Sequence, residues 1–147
     1  MKKRYVIKAT VYSKLSRITA SAQNSYKQPH PLQKFFAEQV GQPQKIYLHA
    51  EIKAMIQASI HVDKLYSIYI KRQDEFGNLY LAKPCIICVY AMIFFGIEHV
   101  SYSISNEETW YGTTKALAKT YGLDYGRIKQ RYHGRKHTKN ASYLAYN

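Results

Sequence analysis

His49-Ala50-Glu51 and Pro84-Cys85-Ile86-Ile87-Cys88 are the two stretches from which the architecture of this chain can be inferred. Each lies at the start of a predicted helix. Residues 49–60 carry apolar side chains at helical spacing, which predicts a largely buried helix. Pro84 suits a first helical turn, where its missing N–H is not needed, and the apolar residues 85–95 predict a second helix. The two helix starts together carry a histidine, an acid and two cysteines.

These residue types at this spacing indicate a metal site. Cys85 and Cys88 are three residues apart, so both sulfur atoms lie on one face of a helix. The first helical turn favours thiolates, because free N–H groups and the positive end of the helix dipole stabilise negative charge. Zinc binds thiolate, and with His49 the chain offers three ligands, the number that a catalytic zinc site uses while its fourth position stays open. Glu51 follows His49 by two residues, which suits proton transfer better than ligation.

The remaining sequence predicts strands that alternate with helices. Residues 4–12, for example, are β-branched and aromatic, which favours a strand. This order of elements is typical of an α/β layer architecture, with helices covering a mixed sheet. The predicted strands cover residues 4–12, 16–22, 65–70, 79–81 and 97–104, and a further helix covers residues 32–40.

Length and composition exclude several classes of protein. With 147 residues, 46% hydrophobic and 21% charged, the chain can form one domain with its own core and is not a disordered segment. Two cysteines exclude a disulfide-rich secreted scaffold. The longest apolar run, residues 85–97, is too short to span a bilayer, so we expect no membrane association. No continuous apolar segment follows the basic start, so the expected location is the cytoplasm.

Charge is distributed unevenly along the chain, whose net charge is +13. Residues 1–34 carry eight basic and no acidic side chains, and residues 113–147 carry eight basic side chains and one acid. The residues between them carry six basic and eight acidic side chains. Two basic ends around a near-neutral middle favour a polyanionic partner. The chain also has 15 tyrosines, whose rings can stack on bases or fill cores.

The pattern H-x-E with P-C-x-x-C resembles the zinc nucleobase deaminases of the cytidine deaminase-like superfamily. The resemblance covers about residues 4–105. His49–Ile56 is similar to the first zinc helix of that family, and Cys88–Tyr102 is similar to its second zinc helix and the following strand. The resemblance implies a three-layer α/β fold, with a mixed central sheet and helices on both faces. It also implies Glu51 as the catalytic residue and zinc ligation by His49, Cys85 and Cys88.

Four further residues are expected at the substrate. Ala22-Gln23-Asn24 lies where deoxycytidylate and tRNA adenosine deaminases carry Gly-x-Asn, so Asn24 matches the residue that contacts the sugar or base, although Ala22 replaces the glycine. Ala50 and Pro84 lie inside the two zinc motifs. His30 lies in a proline-containing loop close to Asn24, where it either contacts the substrate or forms a hydrogen bond within the loop.

The C-terminal residues 113–147 predict a basic helical tail, packed on or appended to a zinc deaminase core of residues 1–112. Residues 114–131 have the pattern of helix, tight turn and helix, which resembles a helix-turn-helix motif. The tail either contacts nucleic acid or completes the fold with a solvated basic face. Family members usually have a fifth strand, for which residues 142–146 are a candidate. The expected nucleic-acid contacts are Arg127, Lys129, Arg131, Arg135 and Lys136.

The reaction that the resemblance implies is hydrolytic: water replaces the amino group at C4 of cytosine or C6 of adenine, and Glu51 transfers the protons. The favoured hypothesis is conversion of cytosine to uracil in single-stranded DNA, because basic ends and tyrosines suit a polymer. Two different deaminase substrates stay open, a free nucleotide of the deoxycytidylate type and adenine in a tRNA-like molecule. Three interpretations without deamination also stay open: a structural zinc site, a redox C-x-x-C and a zinc-stabilised DNA-binding module. Assembly into a homo-oligomer is compatible with each enzyme.

Overall fold

The protein is represented by a computed structural model, which describes residues 4–14, 17–25, 27–62 and 64–133. Most boundaries agree with the predicted elements to within a few residues. Within the described residues the strands are β1 (Tyr5–Tyr12), β2 (Ile18–Gln23), β3 (Ser67–Asp74), β4 (Leu79–Tyr80), β5 (His99–Ser103) and β6 (Thr109–Thr113). The helices are α1 (Pro31–Gln39), α2 (Ala50–His61), α3 (Ile86–Phe95), α4 (Thr114–Thr120) and α5 (Tyr125–His133).

The strands form one mixed sheet in the order β2-β1-β3-β5-β6, with β4 beside β3. β3 and β5 are parallel, and the other neighbouring pairs are antiparallel. A parallel pair needs a crossover connection, and α3 lies in the connection from β3 to β5. The predicted α/β fold with a mixed sheet is therefore confirmed.

One face of the sheet is packed against helices, and we call it the helix face. Because strand side chains alternate, every second residue of the central strands points to this face, and most of those residues are buried. α2 contacts β1 and β2, α4 contacts β6, and α3 contacts the other four helices. The buried residues of this face include Ala9, Val11, Ile68, Ile70, Val100 and Tyr102.

The other face, which we call the open face, carries exposed or half-buried side chains. The resemblance implied helices on both faces, whereas no helix covers the open face in the part of the chain that the structure describes. The first helix, α1, packs on α3 instead of the sheet, with the rings of Phe36 and Phe94 at a centroid distance of 5.0 Å. The open face includes Val6, Lys8, Thr10, Tyr12, Ser67, Tyr69, Lys71, Gln73, His99, Ser101, Tyr111 and Thr113.

The outermost strand, β6, was not predicted as a strand. It pairs antiparallel with β5, and the ring of Trp110 stacks on that of Tyr102 at a centroid distance of 5.1 Å. The sequence candidate for a further strand, residues 142–146, lies outside the described residues. β6 is short and contains Gly112, over which the Trp110 ring lies so closely that a Cβ there would collide with it. A glycine in a short segment weakens the strand signal, which explains why it was missed.

The two C-terminal helices follow the predicted helix-turn-helix order. The chain turns between α4 and α5 at Gly122, whose φ of 70° is in the left-handed region that favours glycine. α5 packs on the C-terminal half of α3, where the Tyr90 and Tyr132 hydroxyls are 2.8 Å apart. The described helices include none that is both long enough and apolar enough to cross a bilayer.

Candidate metal centre

The two sequence motifs lie at the N-termini of α2 and α3. His49 is the N-cap residue of α2 and Cys85 is the N-cap residue of α3, yet neither side chain caps its own helix. Both side chains are therefore available to a common ligand. Cys88 follows in the first turn of α3 and is fully buried. The buried helices α2 and α3 contact each other, so their ends hold these three side chains together.

The geometry of His49, Cys85 and Cys88 fits a zinc ion. Their ligand atoms lie within 4.8 Å of one another, and they are the one such group of histidine, cysteine or acidic residues among the described residues. His49 Nδ1 is 3.3 Å from Cys88 Sγ and 3.6 Å from Cys85 Sγ. Zinc–nitrogen and zinc–sulfur bonds of ordinary length at a tetrahedral angle place nitrogen and sulfur about 3.6 Å apart. The donor set and its spacing thus suit zinc.

One of the three ligands, Cys85, has the protonation state that a metal cation requires. Hydrogen bonding to Cys88 and to His49 lowers the pKa of the Cys85 thiol to about 4. Burial raises the pKa of the Cys88 thiol well above its ordinary value. Without a metal, Cys88 is therefore a thiol, whereas Cys85 is a thiolate. Hydrogen bonding to Cys85 raises the pKa of His49. A thiolate beside a thiol is the arrangement from which a metal displaces the remaining proton.

Glu51 lies in the first turn of α2 and is 6% exposed. Burial raises the pKa of its carboxyl, and the negative charge of Cys85 raises it further. Its side chain is also within hydrogen-bonding reach of Cys88. A carboxyl enclosed next to a metal site is suited to accept and return protons, because bulk water does not compete for them.

A cavity of about 190 Å³ opens in front of the metal centre. Its volume is below the range of about 300–1,000 Å³ that is usual for drug-sized ligands, which indicates a smaller ligand. A single nucleobase is a ligand of that smaller size. Asn24 is held in position at the cavity, because its Oδ1 accepts a hydrogen bond of 3.0 Å from the Ile7 N–H. The lining residues are Ile7, Asn24, His49, Ala50, Glu51, Lys83 and Cys85.

The architecture has a counterpart among solved structures. The crystal structure of a cytidine deaminase from Burkholderia pseudomallei matches this chain with a TM-score of 0.52, over 78% of this chain and 79% of that one, at 12% sequence identity. This chain has the cytidine deaminase-like fold. No protein-family model matches the sequence, and no curated protein matches it. The resemblance indicated by the two motifs is thereby confirmed at the level of the fold.

Of the four residues predicted at the substrate, two line the cavity and two do not. Asn24 and Ala50 line the cavity. Pro84 is buried behind it, where its carbonyl accepts a hydrogen bond of 2.6 Å from the Tyr121 hydroxyl. His30 is the N-cap residue of α1, and its Nδ1 accepts a hydrogen bond of 3.0 Å from the Leu32 N–H. His30 is not among the lining residues, so the structure assigns it a capping contact and its role at the substrate stays a prediction.

The basic residues of α5 do not line the cavity. Arg127, Lys129 and Arg131 are exposed, on a helix that packs on the C-terminal half of α3, whereas the metal centre is at the N-terminal end of α3. The remaining predicted contacts, Arg135 and Lys136, lie outside the described residues. Contact of these residues with nucleic acid stays a prediction.

Sequence reasoning missed two residues near the cavity. Lys83 lines it, and its ammonium lies 4.9 Å from the centroid of the Tyr121 ring. Tyr121 ends α4 and fixes the backbone before Cys85 through its bond to Pro84. Lys83 had one signal, its position directly before the P-C-x-x-C motif. Tyr121 had none, because it contacts the motif only through tertiary packing.

Proposed function

We propose that the protein is a zinc-dependent hydrolytic deaminase that converts cytosine to uracil in single-stranded DNA. One observation carries the proposal: His49, Cys85 and Cys88 converge within 4.8 Å beside the buried Glu51, at a cavity with room for one base. Zinc at such a three-ligand site supplies a water molecule whose pKa is lowered toward neutrality.

Glu51 moves the protons of the reaction. Cytosine and water give uracil and ammonia, so one proton must pass from water to the ring nitrogen and another must reach the departing amine. The Glu51 carboxylate accepts the first proton from water and delivers it to the ring nitrogen. It then accepts the second proton from the hydroxyl that has added to C4 and delivers it to the amine, which leaves as ammonia. Its burial at the cavity wall keeps the proton within the site.

Asn24 and Ala50 position the base. The Asn24 oxygen already accepts the Ile7 N–H, and within the described residues its NH₂ group has no hydrogen-bond partner. That group is available to an oxygen acceptor of the substrate. Ala50 is the first residue of α2, so its backbone N–H is one of those that a helix start leaves unpaired.

Two features support a polymeric substrate. The net charge of +13 is concentrated at the two ends of the sequence, and α5 carries exposed basic side chains. Phosphates of a nucleic acid strand need such groups, and a single strand avoids the energy needed to flip a base out of a duplex.

A free nucleotide of the deoxycytidylate type is the second candidate. Lys83 is the one lysine or arginine among the lining residues of the cavity, and one such side chain is enough for one phosphate. The basic residues of α5 do not line this cavity. The lining of the cavity therefore favours a small substrate, whereas the overall charge favours a polymer.

A competition assay distinguishes these substrates. Zinc-loaded protein is offered a cytosine-containing single-stranded DNA oligonucleotide together with deoxycytidylate, and both uracil products are quantified by mass spectrometry. We expect uracil in the oligonucleotide to form first. Uracil only in the mononucleotide would support the second candidate and make α5 part of the scaffold. Glu51→Ala is the control for background deamination. If neither substrate gives more product than this variant, the proposed cytosine reaction is wrong.

A further inference from the structure

The open face combines aromatic rings with small polar side chains in register. Tyr69 on β3 is opposite Ser101 on β5, and Ser101 is opposite Tyr111 on β6. Two strand spacings separate the tyrosines, which is about 10 Å. The serine between them is too small to cover either ring. Tyr111 is 77% exposed, so its ring is available to a ligand.

A groove runs beside the Tyr111 ring. It encloses about 500 Å³ and lies between the ends of β3, β5 and β6. His99 and Tyr66 form one side of it, with their rings at a centroid distance of 4.9 Å. The open-face residues in its lining are Ser67, His99, Ser101, Tyr111 and Thr113. Flat rings and hydroxyl groups along a groove can contact a planar base by stacking and by hydrogen bonds.

The charges of the open face point to an anion. Lys8 on β1 is directly opposite Lys71 on β3. Like charges at directly opposite positions destabilise a strand pair, and none of the open-face residues is acidic. A bound anion would neutralise this pair of lysines. Lys71 follows Tyr69 by two residues, so both side chains point to the same face.

We propose that the open face binds single-stranded nucleic acid, with bases stacked on Tyr69 and Tyr111 and phosphates beside Lys8 and Lys71. Uncovered sheet faces with aromatic side chains bind single strands in this way in other folds. A second copy of this chain fits less well, because the face is mostly polar and its lysines would meet no acidic side chain on the same face of the other copy. The site is on the opposite side of the sheet from the metal centre, so it does not depend on the deaminase reaction.

The test uses a probe that cannot be deaminated. An oligothymidylate of about 20 nucleotides, labelled with fluorescein, exceeds the footprint of most single-strand binding domains. Its affinity for the full chain is measured by fluorescence anisotropy across a range of salt concentrations. We expect Tyr69→Ala and Tyr111→Ala each to weaken binding about tenfold or more. Tyr69→Phe keeps the ring and should bind as the unmodified protein does.

The lysines are tested through the salt dependence. Lys8→Gln and Lys71→Gln should each reduce the slope of log affinity against log salt by about 0.7. Tyr125→Ala and Lys129→Gln are the comparison variants for the helical tail, because they remove a tyrosine and a lysine from α5, where Lys129 lies 5.6 Å from the Tyr125 ring centroid. The matched control is Lys34→Gln, which removes an exposed lysine from α1 and should leave both the affinity and the salt slope unchanged.

Two outcomes would overturn the proposal. In the first, the α5 variants weaken binding and the open-face variants do not, which would assign the nucleic acid to the helical tail. In the second, sedimentation shows that the protein is a dimer that Tyr111→Ala converts to a monomer, without any effect on oligonucleotide binding. The open face would then be covered by a second copy. Thermal melting of each variant verifies that the fold is intact.

Discussion

Ile70 and Tyr69 are neighbours in β3, but they belong to different environments. Ile70 is 1% exposed under the helices, whereas Tyr69 lies on the open face with Tyr111 and Lys71. The helix face supports α2 and α3, whose ends hold the candidate metal ligands close together. Within the described residues no helix packs on the open face, and its side chains are mostly polar or aromatic. Side chains of one strand therefore point alternately to the core that positions the candidate metal centre and to the surface that we propose as a binding site.

The largest effect is expected at the metal centre. Glu51→Gln removes the proton carrier, so turnover should fall by a factor of about 10²–10⁴. The three ligands stay in place, so zinc content, measured by elemental analysis, should not change. Binding of oligothymidylate should also be unchanged, because the open face is on the other side of the sheet.

A variant of the open face tests the opposite case, in which oligonucleotide binding is lost and turnover is kept. Tyr111→Ala should retain the turnover of a free nucleotide and lose affinity for the oligonucleotide. Loss of zinc from Glu51→Gln would mean that the carboxylate is a ligand, which would contradict its role in proton transfer. Loss of nucleotide turnover in Tyr111→Ala would mean that the two faces are coupled.

The next effect concerns stability and uses neighbouring residues on the two faces. Ile70→Ala leaves a cavity under the helices and should lower the free energy of unfolding by about 2–5 kcal/mol. Tyr69→Ala removes a half-buried ring from a cross-strand contact and should cost about 1 kcal/mol. Urea unfolding of both variants measures the difference. Equal losses would show that the open face is packed as tightly as the helix face.

The smallest effect is expected from the contact between α4 and the metal motif. Tyr121→Phe removes the hydrogen bond to the Pro84 carbonyl but keeps the ring under Lys83. The free energy of unfolding should fall by about 0.5–1.5 kcal/mol. Tyr125→Phe is the control, since its hydroxyl has no hydrogen bond within the described part of the chain. A loss in the control as large as that in Tyr121→Phe would rule out a specific role for the Pro84 contact.

Local sequence patterns predicted the helices and the candidate metal ligands. Cys85 and Cys88 are three residues apart on one helix, and apolar periodicity marks α2, so short-range information was sufficient. His49 is distant in sequence from both cysteines, and the family resemblance brought it to the same site. The boundaries of α2 and α3 were correct within one or two residues.

Features that depend on which elements pack together could not be predicted in the same way. β6 becomes recognisable as a strand only through its pairing with β5, because Gly112 interrupts its short pattern. The alternation in β1 predicted a strand without showing that one of its faces would stay uncovered. Tyr121 reaches Pro84 across 37 positions, a contact that the packing of α4 on α3 creates.

The complete enclosure of α3 has a consequence for hydrogen exchange. Every residue from Ile87 to Phe94 is buried, and four helices surround this one. Amide protons in such a segment reach solvent only when the whole domain opens, whereas surface elements exchange through local opening. We therefore expect α3 to exchange most slowly among the described elements, which amide exchange followed by mass spectrometry would measure. The two cysteines at its start keep their spacing through the local fluctuations that loops and edge strands undergo.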